Sequence, residues 1–236
     1  MSSLQDQFLL DPKIHFLNHG SFGATPRPVF QDYQHWQREL ERQPVEFLGR
    51  RAPQLMAASR LELGKYLGTA ADNLVYTQNV TIALNIVARS LELCPGDEVL
   101  TSDHEYGALD RTWRFLSGER GFKYIRQKIS LPLSSEQRFA DDFWQGITPR
   151  TRVIFLSHIT SPTAILFPTA AVLRRARENN ILTILDGAHA PGQIDLDLDA
   201  LGADFYGGNL HKWMLGRALI FHQSFDLRQR TCQPLC

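Results

Sequence analysis

The chain has 236 residues, 43% of them hydrophobic and 21% charged, which is enough apolar material for one large domain or two small ones and excludes disorder as the main state. Twenty-five Lys and Arg against 25 Asp and Glu leave no overall positive field, so neither nucleic acid nor an anionic membrane is expected as a partner. The opening MSSLQDQFLLDPKIHF has no basic stretch and only the short apolar run Phe8 to Leu10; it reads as neither a secretory signal nor a membrane span, and the cytoplasm is the expected compartment.

The first 70 residues hold a Gly/Pro-rich loop from Asn18 to Pro28, a polar helix with aromatic residues through Gln31 to Leu40, and a second helix from Pro53 to Leu67. From about residue 72 to residue 212, short apolar runs alternate with longer helical stretches, the pattern of parallel strands joined by crossover helices. The strands are expected at Leu74 to Thr77, Glu98 to Ser102, Lys123 to Arg126, Val153 to Ser157, Leu182 to Asp186 and Ala203 to Tyr206. Asn79 or Thr81 can cap the helix that reaches Leu91, and Pro95-Gly96-Asp97 turns the chain into the next strand. A further helix is expected over Pro168 to Asn180, ending at Asn179-Asn180. The chain is therefore read as α/β with a mainly parallel, three-layer sheet, whose ligands belong at the carboxyl ends of the strands.

Three cysteines, Cys94, Cys232 and Cys236, lack metal or redox spacing, so no metal site is expected and Cys94 is read as structural. The richest stretch is ILDGAHAPGQIDLDLDALGADFYGGNLHKWM, from Ile184 to Met214. Asp186 ends an apolar strand, where its carboxylate is costly to bury unless a cation faces it. Lys212 follows a Gly-Gly-Asn turn, and a poorly hydrated lysine loses its proton readily and can form a Schiff base. Such a pair is one way to hold pyridoxal 5′-phosphate (PLP), with the lysine at the aldehyde carbon and the carboxylate at the ring nitrogen. The same two residues also occur together by chance in many α/β proteins.

Five segments, FLNHGSFGATP, TSDHEYGALD, SHITSPTA, DGAHAPGQIDLD and GGNLHKWM, stand in an order that resembles the class V aminotransferase family of fold-type I PLP enzymes, and within it the isopenicillin-N epimerase-like branch. The resemblance runs from residue 16 to residue 214. It implies that Lys212 forms the Schiff base and moves the α-proton, and that Asp186 keeps the ring nitrogen protonated. His189 would reach the ring oxygen region, Ser161 would bond the ring hydroxyl oxygen, and Val80, Thr81, Asn209 and His211 would hold the phosphate. For the residue stacked on the ring, Tyr106 is favoured over His104; the related desulfurases generally show a histidine near here, which argues against persulfide chemistry. Asn18, His19 and Gly20 match the segment that folds over the substrate carboxylate, although an ordinary turn also explains them.

On this resemblance, residues 1–50 form an N-terminal arm and substrate loop, residues 51–216 the PLP-binding large domain, and residues 217–236 a divergent tail. The resemblance further implies action on a small amino acid, as a homodimer, by epimerase, transaminase or C–S lyase-like chemistry. After Gly216 the sequence shows one apolar run, then polar residues and two cysteines; the strand expected to return to the sheet is not recognisable from Arg217 onward. The expectation is a large domain cut short, without the C-terminal small domain, its substrate arginine or a phosphate contact from a dimer partner. The rival reading is a non-catalytic fragment that at most binds PLP or a full-length partner. A nucleotide-binding Rossmann domain is disfavoured, since neither G-x-G-x-x-G nor G-x-x-x-x-G-K-[ST] occurs.

Overall fold

A computed structural model describes residues 4–216 and, for its backbone, the strand Leu219–Gln223. The tail beyond residue 223, with Cys232 and Cys236, lies outside the described residues. Helix α1 covers Arg27–Arg42, α2 is the single turn Pro44–Glu46, and α3 covers Ala52–Leu67. The α/β part follows as β1 (Leu74–Tyr76), α4 (Val80–Ser90), β2 (Glu98–Ser102), α5 (Gly107–Arg120), β3 (Lys123–Gln127), α6 (Glu136–Trp144), β4 (Thr151–Ser157), α7 (Thr169–Glu178), β5 (Leu182–Gly187), α8 (Leu198–Leu201), β6 (Phe205–Asn209) and β7 (Leu219–Gln223).

The seven strands form one sheet in the order β1-β7-β6-β5-β4-β2-β3. Strands β3, β2, β4, β5 and β6 are parallel, while β7 runs antiparallel between β6 and β1. Two expectations change here. The first strand joins the sheet through an antiparallel partner, and the apolar run after Gly216 does return to the sheet, pairing Leu219 with Asn209 and His222 with Leu74. Five residues carry too little periodicity to reveal such a strand without its two neighbours.

Burial explains why the strands are continuous apolar runs. Val153 and Phe155 of β4 pack with Leu84, Leu109 and Trp113 of α4 and α5 on one face. Ile154 and Leu156 pack with Leu67, Phe143 and Leu173 of α3, α6 and α7 on the other. A strand covered on both faces needs apolar side chains at every position, which gives the helix–sheet–helix layering. Pro168 occupies the N-cap of α7, and Asn180 just beyond its end takes φ 55°, a left-handed value that Asn tolerates. No helix among the described residues is long and apolar enough to cross a membrane.

Phe155 is fully buried at the centre of the sheet. Phe155→Ala is expected to lower unfolding free energy by about 3–5 kcal/mol in urea titrations; a loss below about 1 kcal/mol would contradict this packing.

Candidate active site

The carboxyl ends of β2, β4, β5 and β6 open into a cavity of about 540 Å³, whose lining includes Asn79, Val80, Thr81, Tyr106, Ser157, Ser161, Asp186, His189, Asn209, His211 and Lys212. Strand register sets its floor, since Ser157 of β4 lies beside Asp186 of β5, which lies beside Gly207 of β6. The glycines of β6 let their neighbours pack close: a Cβ on Gly207 would lie 2.9 Å from Val80 Cγ1, and one on Gly208 2.9 Å from Pro191 Cγ. The Asp186 carboxyl is 3% exposed and accepts a hydrogen bond from the Ala188 N–H at 2.9 Å. Burial pushes its pKa up to about 6, opposed by that N–H and by the charge of Lys212. Among the described residues no arginine lines the cavity.

The first turn of α4 forms the opposite wall. Asn79 caps it, its Oδ1 accepting from Ile82 N–H at 2.8 Å, and Val80 N–H donates to Asn209 Oδ1 at 3.3 Å. The N–H and hydroxyl of Thr81 face the cavity without a protein partner among the described residues. A helix N-terminus with an unclaimed N–H and hydroxyl suits an anion. Of the phosphate residues expected from sequence, Val80 and Asn209 are engaged with each other, whereas Thr81 is free to donate.

Lys212 is half-buried with Nζ 3.2 Å from His189 Nε2, and Trp213 Nε1 lies 3.2 Å from His189 Nδ1. Burial lowers the Lys212 pKa while Asp186 opposes the shift, and burial with the lysine's charge holds His189 down at about 4. His211 is lowered by the same two causes, burial first. The N-terminal loop is strapped over this turn, with Gly23 N–H donating to the His211 carbonyl at 2.9 Å. Only glycine fits there, because a Cβ on Gly23 would lie 2.2 Å from the Lys212 carbonyl oxygen.

The structure thus brings together all nine cofactor residues expected from sequence, from Val80 to Lys212. His104 is turned away: its Nε2 lies 3.1 Å from the Ile129 carbonyl and its ring meets Phe167 edge-on. Tyr106, 42% exposed, is the aromatic residue of DHEYGA at the cavity. Gly20 lines it as well, and Asn18 lines an adjoining cavity with Gly20, Ser161 and His189. His19 instead accepts from Ala24 N–H at 3.3 Å and packs against Phe16. Cys94 lies in the turn before β2, its N–H bonded to Asp97 at 2.8 Å.

Sequence reasoning passed over Glu105. Its buried carboxyl accepts from Ser102 Oγ at 2.5 Å and Ser157 Oγ at 2.6 Å, just below the cavity floor. Burial, with Asp186 adding to it against the two hydroxyls, pushes Glu105 up to about 7. Its signal was an acid between two aromatic candidates, which drew attention away from it.

Known proteins resemble this chain in sequence and in fold. The family model Aminotransferase class-V matches residues 18–218. An isopenicillin N epimerase of Amycolatopsis lactamdurans is 37% identical over 217 residues, covering 91% of this chain and 54% of the relative. An L-cysteine desulfhydrase-like protein, lolT2 of Epichloe uncinata, is 31% identical over 216 residues, covering 89% of this chain and 46% of its own. The chain therefore spans about half the length of the curated relatives it matches. Among solved structures, a C-DES mutant with glycine covalently linked to the PLP cofactor superposes with TM-score 0.87 at 22% identity, over 98% of this chain and 62% of that one. Apo cysteine desulfurase of Thermococcus onnurineus NA1 gives 0.83 at 18% identity, over 100% and 60%. Both show the large-domain fold.

Glu105 gives a pH prediction. Its folded pKa is raised, so its contribution to stability is complete below its unfolded value of 4.5 and is lost as pH rises through about 7. Glu105→Gln should gain stability relative to the native chain across that window, by about 3 kcal/mol at the alkaline end. Urea titrations at several pH values check this, and a difference independent of pH would contradict it.

Proposed function

Because the chain belongs to the aminotransferase class V family, we propose that its cavity holds pyridoxal 5′-phosphate and that Lys212 is the reactive amine in chemistry on a small amino acid. One observation carries the reading: Asp186, deeply buried at a strand end, lines a cavity that offers a lysine amine and, among the described residues, no arginine. Uncompensated buried carboxylates are expensive, and a cationic ring nitrogen is the group that would satisfy this one. The available donors fit the cofactor's other end, since Thr81 has an N–H and a hydroxyl to give at a helix N-terminus.

When bound, the cofactor supplies an aldehyde that condenses with amines and a ring that withdraws electrons from the carbon beside the nitrogen. The chain's residues do the rest. Asp186 holds the proton on the ring nitrogen, which keeps the ring electron-poor. Thr81, with the Asn209 amide group and His211, would retain the phosphate, while the Val80 N–H holds Asn209 Oδ1 in place. His189 and Ser161 would hold the ring through its oxygen, and Tyr106 would be the residue to stack on it. Lys212 would present Nζ as a neutral amine to the cofactor and would be the group that moves the proton of the substrate α-carbon. Gly20 and Asn18 belong to the loop beside the substrate.

Epimerisation, transamination and C–S cleavage share that proton transfer, so the residues of this chain define the common step. Tyr106 in the stacking position is a weaker acid–base group than histidine, which speaks against persulfide chemistry. The reading includes residues 51–216 as the cofactor domain with residues 1–50 as its arm, and a homodimer in the cytoplasm. A second reading is favoured by one fact, that the chain spans about half the length of its curated relatives. It holds that this chain binds cofactor or a longer partner without turnover.

The test is chemical trapping. Borohydride added to the folded chain with PLP should fix a pyridoxyl group on the Lys212 peptide, and Lys212→Ala should abolish that adduct. Asp186→Asn should weaken cofactor binding tenfold or more, on the order of 1.4 kcal/mol. A folded native chain that gives no Lys212 adduct would overturn the proposal.

A further inference from the structure

Trp213 has no part in the roles above, yet it makes the one hydrogen bond that decides where the proton sits on His189. An indole Nε1–H donates and cannot accept, so His189 Nδ1, 3.2 Å away, must be the acceptor and carries no proton. A neutral imidazole with a bare Nδ1 keeps its proton on Nε2. That N–H faces Lys212 Nζ at 3.2 Å. An ammonium group has three donors and no lone pair, so the contact is a hydrogen bond only when Lys212 is an amine.

We propose that Trp213 is a positioning residue: its indole N–H locks His189 in the Nε2–H form, and His189 in turn holds Lys212 as the neutral amine before any cofactor binds. The proposal deepens the function above and rests on Lys212 being its reactive group; the tautomer itself is independent of that reading.

The surroundings favour this arrangement. Gly20 lies directly over the pair, where a Cβ would come within 3.2 Å of Trp213 Cζ2 and 3.3 Å of His189 Cε1. Loop backbone thus clamps both rings in their contact. Gln193 Nε2 donates to the His189 carbonyl at 2.7 Å and fixes the histidine's main chain. Three further titratable groups stand around the pair: Asp186, which favours the ammonium; His211, on the same turn as Lys212; and His19, whose ring lies 6.1 Å from that of Trp213. Burial lowers both Lys212 and His189, in the direction the hydrogen bonds require.

The test uses the full cofactor-free chain labelled with ¹⁵N-histidine. Long-range proton–nitrogen correlation should show His189 with a bare Nδ1 and a protonated Nε2, assigned by loss of its signals in His189→Asn. Trp213→Phe keeps a ring but removes the donor. It should release the tautomer preference and slow acetic anhydride labelling of Lys212 at neutral pH about three- to tenfold, read by peptide mass spectrometry. A native His189 protonated on Nδ1 overturns the inference, and needs no variant to fold. Unchanged Lys212 labelling in folded Trp213→Phe overturns it as well. Failure of borohydride trapping would defeat the proposed function while leaving the tautomer result intact.

Discussion

A carboxylate at the inner end of a parallel strand must be met by positive charge or by donors, and the arrangement around Asp186 follows from that need. β5 is buried on both faces, so the residue that ends it is buried too, and the Ala188 N–H answers only part of its demand. β6 brings two glycines alongside, and their missing side chains let Val80 of α4 and Pro191 pack close against the strand. The turn after β6 then delivers Lys212, and the first turn of α4 delivers Thr81, so amine, carboxylate and anion-binding donors line a single cavity.

Desolvation acts on all of these groups at once. It raises Asp186 and Glu105 and lowers Lys212, His189 and His211, so each group is driven toward its neutral form. A site of this kind is poised to take up a ligand that carries both charges, a cationic ring and an anionic phosphate, because the ligand restores partners that water no longer supplies. Glu105 lies one layer below and takes two serine hydroxyls from β2 and β4. Asp186, so near, adds to the cost of ionising Glu105.

The strand-end aspartate and the lysine after Gly-Gly-Asn were legible in the sequence because each sits where a local pattern stops, at the end of an apolar run or a turn. The five parallel strands were legible for the same reason, as continuous apolar runs between helical stretches. β7 was not, since five residues with antiparallel neighbours on both sides leave no periodic signature in a chain otherwise read as parallel. The resemblance favours Tyr106 over His104, two residues away, and the path of the chain into α5 brings Tyr106 to the cavity while His104 packs on Phe167. Trp213 and Glu105 were visible as letters but not as functions. Their significance lies in contacts to His189, Ser102 and Ser157 that join residues 3 to 52 positions apart.

The central claim is that Asp186 exists to hold a proton on a cofactor ring nitrogen. The ¹⁵N chemical shift of ring-labelled pyridoxal 5′-phosphate bound to the native chain at alkaline pH measures this directly. The account predicts a protonated ring nitrogen that becomes unprotonated in Asp186→Asn. An unprotonated nitrogen in the native chain, or one indifferent to Asp186, would contradict it.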